Sequence, residues 1–210
     1  GGSTSDLIVK LRRKLDTLED SLVIESAYFV VGDDGVERVI ALIERGVDFR
    51  ILTNSLAYND VLAAHAGHAE LREELLEAGA EMYDMRPDSA VIKKTWKGES
   101  RAGLHTKALV FDNNSLFIGS FNLDPRSANI NTEAGIYVEN EELARQLLEY
   151  LDEGISPDNS YRVELDEDGD LVWTTVIDGQ EKRYYEEPLS TWDQRFTSKL
   201  IELLPVESQL

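Results

Sequence analysis

The chain of 210 residues contains no cysteine, which excludes disulfide bonds and zinc sites built from thiolates. It also has no apolar run of about 18 residues, the length that would predict a transmembrane helix. Basic residues are scarce, because 21 lysines and arginines stand against 41 acidic residues and give a net charge of −20. Such acidity opposes nonspecific binding to nucleic acid or to anionic lipid headgroups, and a nucleic-acid partner is not expected.

One segment departs from the acidic trend. Between residues 86 and 107 six cations accompany two anions, a local charge of +4, and the segment leads directly into a polar motif. It is either a solvated basic loop or a funnel that attracts an anionic substrate, and the composition favours neither. The cations are Arg86, Lys93, Lys94, Lys97, Arg101 and Lys107.

Hydrophobic periodicity predicts an α/β fold with a mixed sheet flanked by helices. The Asp112-Asn113-Asn114 segment predicts a hairpin turn between two strands, and Asp168-Gly169 and Asp178-Gly179 predict turns in a small antiparallel extension. The predicted organisation is an N-terminal helix at 1–20, an α/β domain at 21–155 and the extension at 156–210. Strands are expected at 21–31, 47–53, 80–85, 104–111, 115–119, 132–138, 161–165, 171–177 and 182–185, and helices at 5–20, 33–45, 59–78, 141–151 and 191–204.

A polar motif follows the spacing HxKxxxxDxxxxxxGSxN, and every fixed position is filled. His105 and Lys107 lie two residues apart on a predicted strand, so their side chains project from the same face. Ser120 and Asn122 follow the partner strand of the hairpin and can return to that face. An imidazole, an ammonium, a hydroxyl and an amide suit a phosphate, because they stabilise the oxygen charge that grows in the transition state. The fixed residues are His105, Lys107, Asp112, Gly119, Ser120 and Asn122.

Each motif residue also has a structural interpretation. A lone histidine on a strand is usually a packed side chain, but at this spacing His105 is expected to attack phosphorus or to transfer a proton. Asp112 belongs to the candidate catalytic set, yet it falls at the hairpin turn, and the turn role is the preferred interpretation. Gly119 is expected to leave backbone room beside a bound phosphate.

The motif resembles that of the phospholipase D superfamily, and its flanks resemble bacterial cardiolipin synthases, the C-type in particular. The resemblance covers nearly the whole chain after residue 20. It implies a phospholipase D-like fold and phosphatidyl transfer that needs no metal or other cofactor. The flanking residues that carry it are Ser26-Ala27-Tyr28-Phe29, Leu52-Thr53-Asn54-Ser55, His65-Ala66-Gly67-His68, Phe121-Asn122-Leu123-Asp124-Pro125-Arg126-Ser127, Asn131-Thr132-Glu133 and the segment 187–207.

The resemblance also implies that the chain is half of a larger site. Members of the superfamily place two such motifs face to face, so that one histidine becomes a phosphohistidine while the other acts as general acid and then base. Only one motif is present here, because His65 and His68 have no lysine two residues later. The chain is therefore expected to be the C-terminal half of a longer enzyme, with His105 as the proton shuttle. Its partner would be the missing N-terminal half or a second copy.

Further binding residues are suggested on the same basis. An acidic residue near Glu133 holds the imidazole of the opposite half in the family, whereas the structural alternative is a glutamate at a sheet edge. Arg126 is a candidate for a second phosphate or a lipid headgroup, and an ion pair with Asp124 is an equal alternative. The resemblance suggests a headgroup-pocket role for His65. No metal site is expected, because no third ligand accompanies His65 and His68.

The sequence thus favours phosphatidyl transfer between phospholipids, at the cytoplasmic side of a bacterial inner membrane and in peripheral contact with it. Trp96 is either a membrane-facing anchor of that contact or a packed loop residue. One alternative is a homodimeric, single-motif phosphodiesterase or nuclease, although the negative charge opposes a nucleic-acid substrate. The other alternative is a half-domain without activity that only binds phosphate-bearing partners.

Overall fold

The computed structural model describes residues 4–27, 29, 32–55, 71–90, 107–120 and 134–188. Within these residues, helices and strands are mixed up to residue 155, and only strands follow. The helices are α1 (Thr4–Asp16), α2 (Gly32–Glu44), α3 (71–78) and α4 (Glu141–Ile155). The strands are β1 (Ser21–Ser26), β2 (Asp48–Asn54), β3 (Glu81–Met85), β4 (Lys107–Phe111), β5 (Ser115–Gly119), β6 (Gly135–Glu139), β7 (Ser160–Leu165), β8 (Leu171–Ile177) and β9 (Gln180–Tyr184).

The described strands form a nine-stranded sheet in the order β6-β5-β4-β1-β2-β3-β7-β8-β9. Strands β1, β2 and β3 are parallel, and every other neighbouring pair is antiparallel. The predicted mixed α/β sheet is therefore confirmed. Because β7 pairs with β3, the C-terminal strands continue the central sheet instead of forming a sheet of their own.

The three predicted turns form where the sequence places them, and two of them have a pair of residues with positive φ. Asp112 and Asn113 have φ angles of 46° and 54°, and Asp178 and Gly179 have 52° and 73°. Two successive residues with positive φ define the type I′ turn, whose twist matches that of the flanking strands. Short polar side chains and glycine tolerate this left-handed conformation, so local chemistry explains both turns.

Helix α4 shows how local signals set the ends of a helix. The side chain of Asn140 accepts a hydrogen bond from the backbone N–H of Leu143 at 2.9 Å, and Glu141 and Glu142 lie in the positive first turn. The helix continues four residues past its predicted end and stops at Ile155, because Ser156 precedes Pro157. A residue before proline is disfavoured in helical conformation, and Ser156 is extended at ψ 147°.

The sheet is covered on two sides, which we name the α1–α3 face and the α4 face. The larger core lies on the α1–α3 face, and a smaller core packs the sheet against α4. Apolar side chains on both faces make β1 and β4 continuously buried, as expected for central strands of a covered sheet. The α1–α3 core includes Leu22, Ile24, Phe49, Ile51, Met82, Leu109, Phe111 and Phe117; the α4 core includes Val23, Val110, Leu116, Ala144 and Leu151.

Some predicted boundaries differ from the structure. Strand β1 ends at Ser26, five residues before its predicted end, and Ser26 pairs with Lys107 of β4. The predicted strand at 132–138 is described at Gly135–Glu139. The predicted helix at 191–204 and the first part of the helix at 59–78 lie outside the described residues.

Candidate active site

A row of buried polar side chains crosses the α1–α3 face where the parallel strands end. Lys107 is level with Ser26 on β1, and Thr53 is level with Asp84 on β3. The register of β1 with β2, in which Glu25 pairs with Leu52, brings Ser26 beside Thr53. We name Lys107, Ser26, Thr53 and Asp84 the polar row. Ligands of α/β sheets bind at the carboxyl ends of parallel strands, which is where this row lies.

Lys107 is the motif residue that the structure places most clearly. Its side chain is only 4% exposed, although lysine is among the residue types that are least often buried. Burial of a cation is costly unless counter-charges or polar groups compensate it. A lysine held at the end of the polar row can present its ammonium to an anion in an environment with little water.

Ser120 joins strand β5 to the segment that precedes β6. Its backbone N–H donates to the carbonyl of Ala134 at 2.9 Å, and its Oγ accepts from the backbone N–H of Ala134 at 3.1 Å. These bonds fix Ser120 beside Gly119, which pairs with Lys107 across the hairpin. The motif serine is thereby positioned at the same end of the sheet as the motif lysine.

Gly119 has a packing role that the sequence did not indicate. A Cβ atom at Gly119 would lie 2.6 Å from Cζ of Phe117 and 2.7 Å from the carbonyl oxygen of Ala134. A Cβ at its cross-strand partner Gly135 would lie 2.3 Å from the Phe117 ring. The two glycines therefore make room for the Phe117 ring. The sequence predicted that Gly119 leaves room for a phosphate, whereas the structure gives the Phe117 ring as a reason for the same glycine.

Asp112 lies at the other end of β4 from Lys107. Five residues separate them along the chain, about 17 Å at the rise of an antiparallel strand. Its Oδ1 accepts backbone N–H groups of Glu19, Asp20 and Ser21, and its Oδ2 accepts from Lys14 Nζ at 2.9 Å. This geometry supports the turn role, and it places Asp112 out of reach of a phosphate bound at Lys107.

The same contacts shift the acidity of Asp112. Burial by itself would raise the pKa of the carboxyl, but the backbone hydrogen bonds and Lys14 together lower that pKa below its usual value. Each of these donors favours the charged form. The carboxylate therefore acts as an anionic anchor that ties the β4–β5 turn to the start of β1.

A buried ion network that the sequence analysis missed ends the polar row. Nη2 of Arg72 donates to both carboxylate oxygens of Asp84 at 3.0 and 3.1 Å, and Nε1 of Trp173 donates to Asp84 at 2.9 Å. Glu187 lies 3.6 Å from Arg72 Nη1. The available signal was an acidic residue at an inward position of a predicted strand, two residues after Met82. Asp84 and Trp173 connect the polar row to the C-terminal extension.

Of the basic segment, the structure describes residues 86–90 and Lys107, and Arg86 has a structural role. Arg86 is buried, its Nη2 lies 2.7 Å from Asp88, and its Nη1 donates to the carbonyl of Val176 at 2.8 Å. Burial opposes its charge, but the Asp88 carboxylate outweighs that effect and raises the pKa of Arg86. Arg86 thus anchors strand β8 and does not face an incoming substrate, while residues 91–106 lie outside the described residues.

The remaining candidates cannot be placed in this geometry. His105, Asn122, Glu133, Arg126 and His65 lie outside the described residues, as does Trp96, so their roles stay predictions. Among the described residues, no group of His, Asp or Glu is arranged to hold a metal ion. No helix in that part of the chain is both long and apolar enough to span a membrane.

Two solved structures share the fold of this chain. Phosphatidylserine synthase from Haemophilus influenzae Rd KW20 matches 77% of this chain and 38% of its own, with a TM-score of 0.60 and 15% identity. The phospholipase D family member Nuc from Salmonella typhimurium matches 75% of this chain and 90% of its own, with a TM-score of 0.56 and 19% identity. The fold is that of the phospholipase D class.

Sequence comparison then gives the family. Residues 11–154 match the family described as cardiolipin synthase, phospholipase D-like domain, and the chain belongs to that family. Cardiolipin synthase C of Escherichia coli K12 is 38% identical over 186 residues, which cover 87% of this chain. The chain spans only 39% of the length of that relative.

Proposed function

We propose that this chain supplies one half of a phosphatidyl transferase that joins phospholipids in the manner of a cardiolipin synthase. The observation that carries the proposal is Lys107, buried at the end of the polar row and level with Gly119 of the motif. Strand β4 directly continues the His105-Thr106-Lys107 segment. The family match and the 38% identity to cardiolipin synthase C support the choice of phospholipid over other phosphodiesters.

The proposed chemistry has two steps. In the first, one imidazole attacks phosphorus, the bond from phosphorus to the leaving alcohol oxygen breaks, and the second imidazole protonates that oxygen. In the second step, the imidazole that acted as the acid now removes the proton of an acceptor alcohol. The oxygen of that alcohol attacks phosphorus and displaces the phosphohistidine nitrogen. Lys107, Ser120 and Asn122 would stabilise the equatorial oxygens in both steps. His105 takes the acid/base role, and Glu133 would orient the histidine of the opposite half.

The opposite half is proposed to come from the remainder of a longer protein. The relative that shares 38% identity is more than twice as long as the stretch that this chain matches. Peripheral contact with the inner face of a bacterial membrane would bring the site to its lipid substrate. The transferred phosphatidyl group reaches an alcohol and not water only if the assembled site excludes water.

A second candidate is a homodimeric phosphodiesterase in which two copies of the chain complete one site. The size of Nuc favours it, because the region matched by this chain makes up 90% of that protein. A fold of this class therefore also exists as a chain with little beyond one such domain. The net charge of −20 argues against nucleic acid as the substrate of such a dimer.

The test compares the 210-residue chain with a protein in which the missing motif is supplied, each assayed with mixed phospholipids. We expect cardiolipin, detected by lipid chromatography, only when both motifs are present, and its loss in His105→Ala. His68→Ala is the matched control, because it removes a histidine outside the motif. Unchanged cardiolipin in His105→Ala would refute the transferase proposal. Hydrolysis of a chromogenic phosphodiester by the chain alone, lost in His105→Ala, would favour the homodimer.

A further inference from the structure

Ser55 carries a buried hydroxyl group with an unusual hydrogen-bond status. Its side chain is 0% exposed, and among the described residues its Oγ has no hydrogen-bond partner. Buried polar atoms in folded proteins are nearly always hydrogen-bonded, and an exception calls for an explanation. One established explanation is that the missing partner is a ligand.

Other buried serines of the chain do not share this status. Oγ of Ser160 donates to the carbonyl of Gly154 at 2.6 Å, and Oγ of Ser115 donates to Oδ1 of Asn114 at 3.0 Å. Both side chains are as deeply buried as Ser55. Burial of serine in this fold is therefore normally accompanied by a protein acceptor, and Ser55 differs by its position.

The position of Ser55 is the candidate site. It directly follows β2, whose residue Thr53 belongs to the polar row. Ser55 is the second residue after Thr53 and lies one step farther beyond the carboxyl end of the sheet. That step leads toward the place where ligands of parallel sheets bind.

The distance to Lys107 fits one compact ligand. Two strand spacings separate β4 from β2, about 10 Å, and two residues along the strand add about 7 Å in the perpendicular direction. The Cα atoms of Lys107 and Ser55 are then about 12 Å apart. An extended lysine side chain is about half as long as that distance. The rest can be spanned by a ligand whose phosphate lies on the ammonium and whose attached group reaches the serine.

We infer that Ser55 hydrogen-bonds a hydroxyl group of the glycerol in a phosphoglycerol headgroup whose phosphate lies at Lys107. The inference rests on the proposed function, because that function supplies the phosphate site. A serine hydroxyl can both donate and accept, which matches an alcohol, and the phosphate itself is held by the Lys107 ammonium. The described cations near the adjacent strand end do not compete with Lys107 for the phosphate, because Arg72 pairs with Asp84 and Arg86 pairs with Asp88.

The experiment measures the dissociation constants of inorganic phosphate and of glycerol 3-phosphate by titration of the 210-residue chain. We expect glycerol 3-phosphate to bind about fivefold more tightly than phosphate, as one added hydrogen bond provides. Ser55→Ala should abolish this preference and leave the affinity for phosphate unchanged. Its thermal midpoint should equal or exceed that of the unaltered chain, because a buried hydroxyl without a protein partner is removed.

Ser160→Ala is the matched control, because it removes a buried serine hydroxyl whose acceptor is part of the protein. It should lower the thermal midpoint and keep the preference for glycerol 3-phosphate. A preference that survives Ser55→Ala, or a midpoint that falls as in Ser160→Ala, would overturn the inference about Ser55. Equal affinities for the two ligands, both lost in Lys107→Met, would overturn that inference alone. Binding of neither ligand would overturn the inference, whereas the proposed function is tested separately by cardiolipin formation with both motifs present.

Discussion

The two ends of strand β4 use the same kinds of polar groups for opposite purposes. At the Asp112 end, both carboxylate oxygens of Asp112 accept hydrogen bonds, one from three backbone N–H groups and the other from Lys14. At the Lys107 end, a buried cation and the Ser55 hydroxyl lie at the carboxyl ends of parallel strands. One motif therefore contains both a structural anchor and candidate site residues, and its spacing alone does not tell them apart.

The largest effect on stability is expected at the site end of the sheet, in Asp84→Ala. The substitution leaves Arg72 buried with Glu187, 3.6 Å away, as its remaining described carboxylate partner. Loss of one partner of a buried ion pair costs about 3–5 kcal/mol. Urea unfolding measures the change in the free energy of unfolding. Asp152→Ala removes the partner of Arg50 in a solvent-exposed pair and should cost at most about 1 kcal/mol. Equal losses in the two variants would show that the Asp84 network contributes no more than a surface pair.

A smaller loss is expected in Gly119→Ala, which adds a methyl group where Phe117 and the Ala134 carbonyl already lie. Overpacking of this kind costs about 1–3 kcal/mol in the free energy of unfolding. The double variant Gly119→Ala/Phe117→Leu should recover part of that loss, because leucine vacates the space of the ring. If Gly119 serves phosphate alone, the two substitutions will be additive in a double-mutant cycle.

At the far end, Asp112→Asn should lower the free energy of unfolding by about 1–3 kcal/mol, because hydrogen bonds to a charged acceptor are weakened. Ligand binding at Lys107 should not change, since the two residues lie at opposite ends of β4. Altered affinity for phosphate in a folded Asp112→Asn variant would contradict the separation of the two ends.

The effect of Asp112 on stability should also depend on pH. The folded-state pKa of this carboxyl is lowered, so its contribution is complete above the usual value of 3.8 and is lost as pH falls through the folded pKa. Urea unfolding of the unaltered chain and of Asp112→Asn as a function of pH should give free energies of unfolding that converge only in acid. Curves that run parallel into acid would show that the carboxylate charge is not the source of the difference.

Short-range signals account for the parts of the fold that the sequence predicted well. The two type I′ turns follow from Asp112-Asn113 and Asp178-Gly179, whose side chains tolerate positive φ. The continuous burial of β1 and β4 follows from their apolar runs. The boundary error at α4 arose where the residue before a proline decided the end, an influence that apolar periodicity does not carry.

The candidate site was predicted in part. The motif spacing located Lys107 and Ser120 at one end of a hairpin, and the register of β4 with β5 confirms that placement. The Arg72–Asp84–Trp173 network was not predicted, because its members lie 12 and 89 residues apart along the chain. The roles of His105, Asn122 and Glu133 remain predictions from the motif and the resemblance.

The sequence by itself determined the strands, the helices, the turns and the chemical character of the motif, because each depends on neighbours within a few residues. Only the tertiary structure decided that β7 joins the edge of β3, that Gly119 accommodates Phe117, and that Lys107, Ser26, Thr53 and Asp84 form one buried row. Those outcomes depend on which surfaces exclude water together and on strand register. Both are set by contacts between residues far apart in the chain.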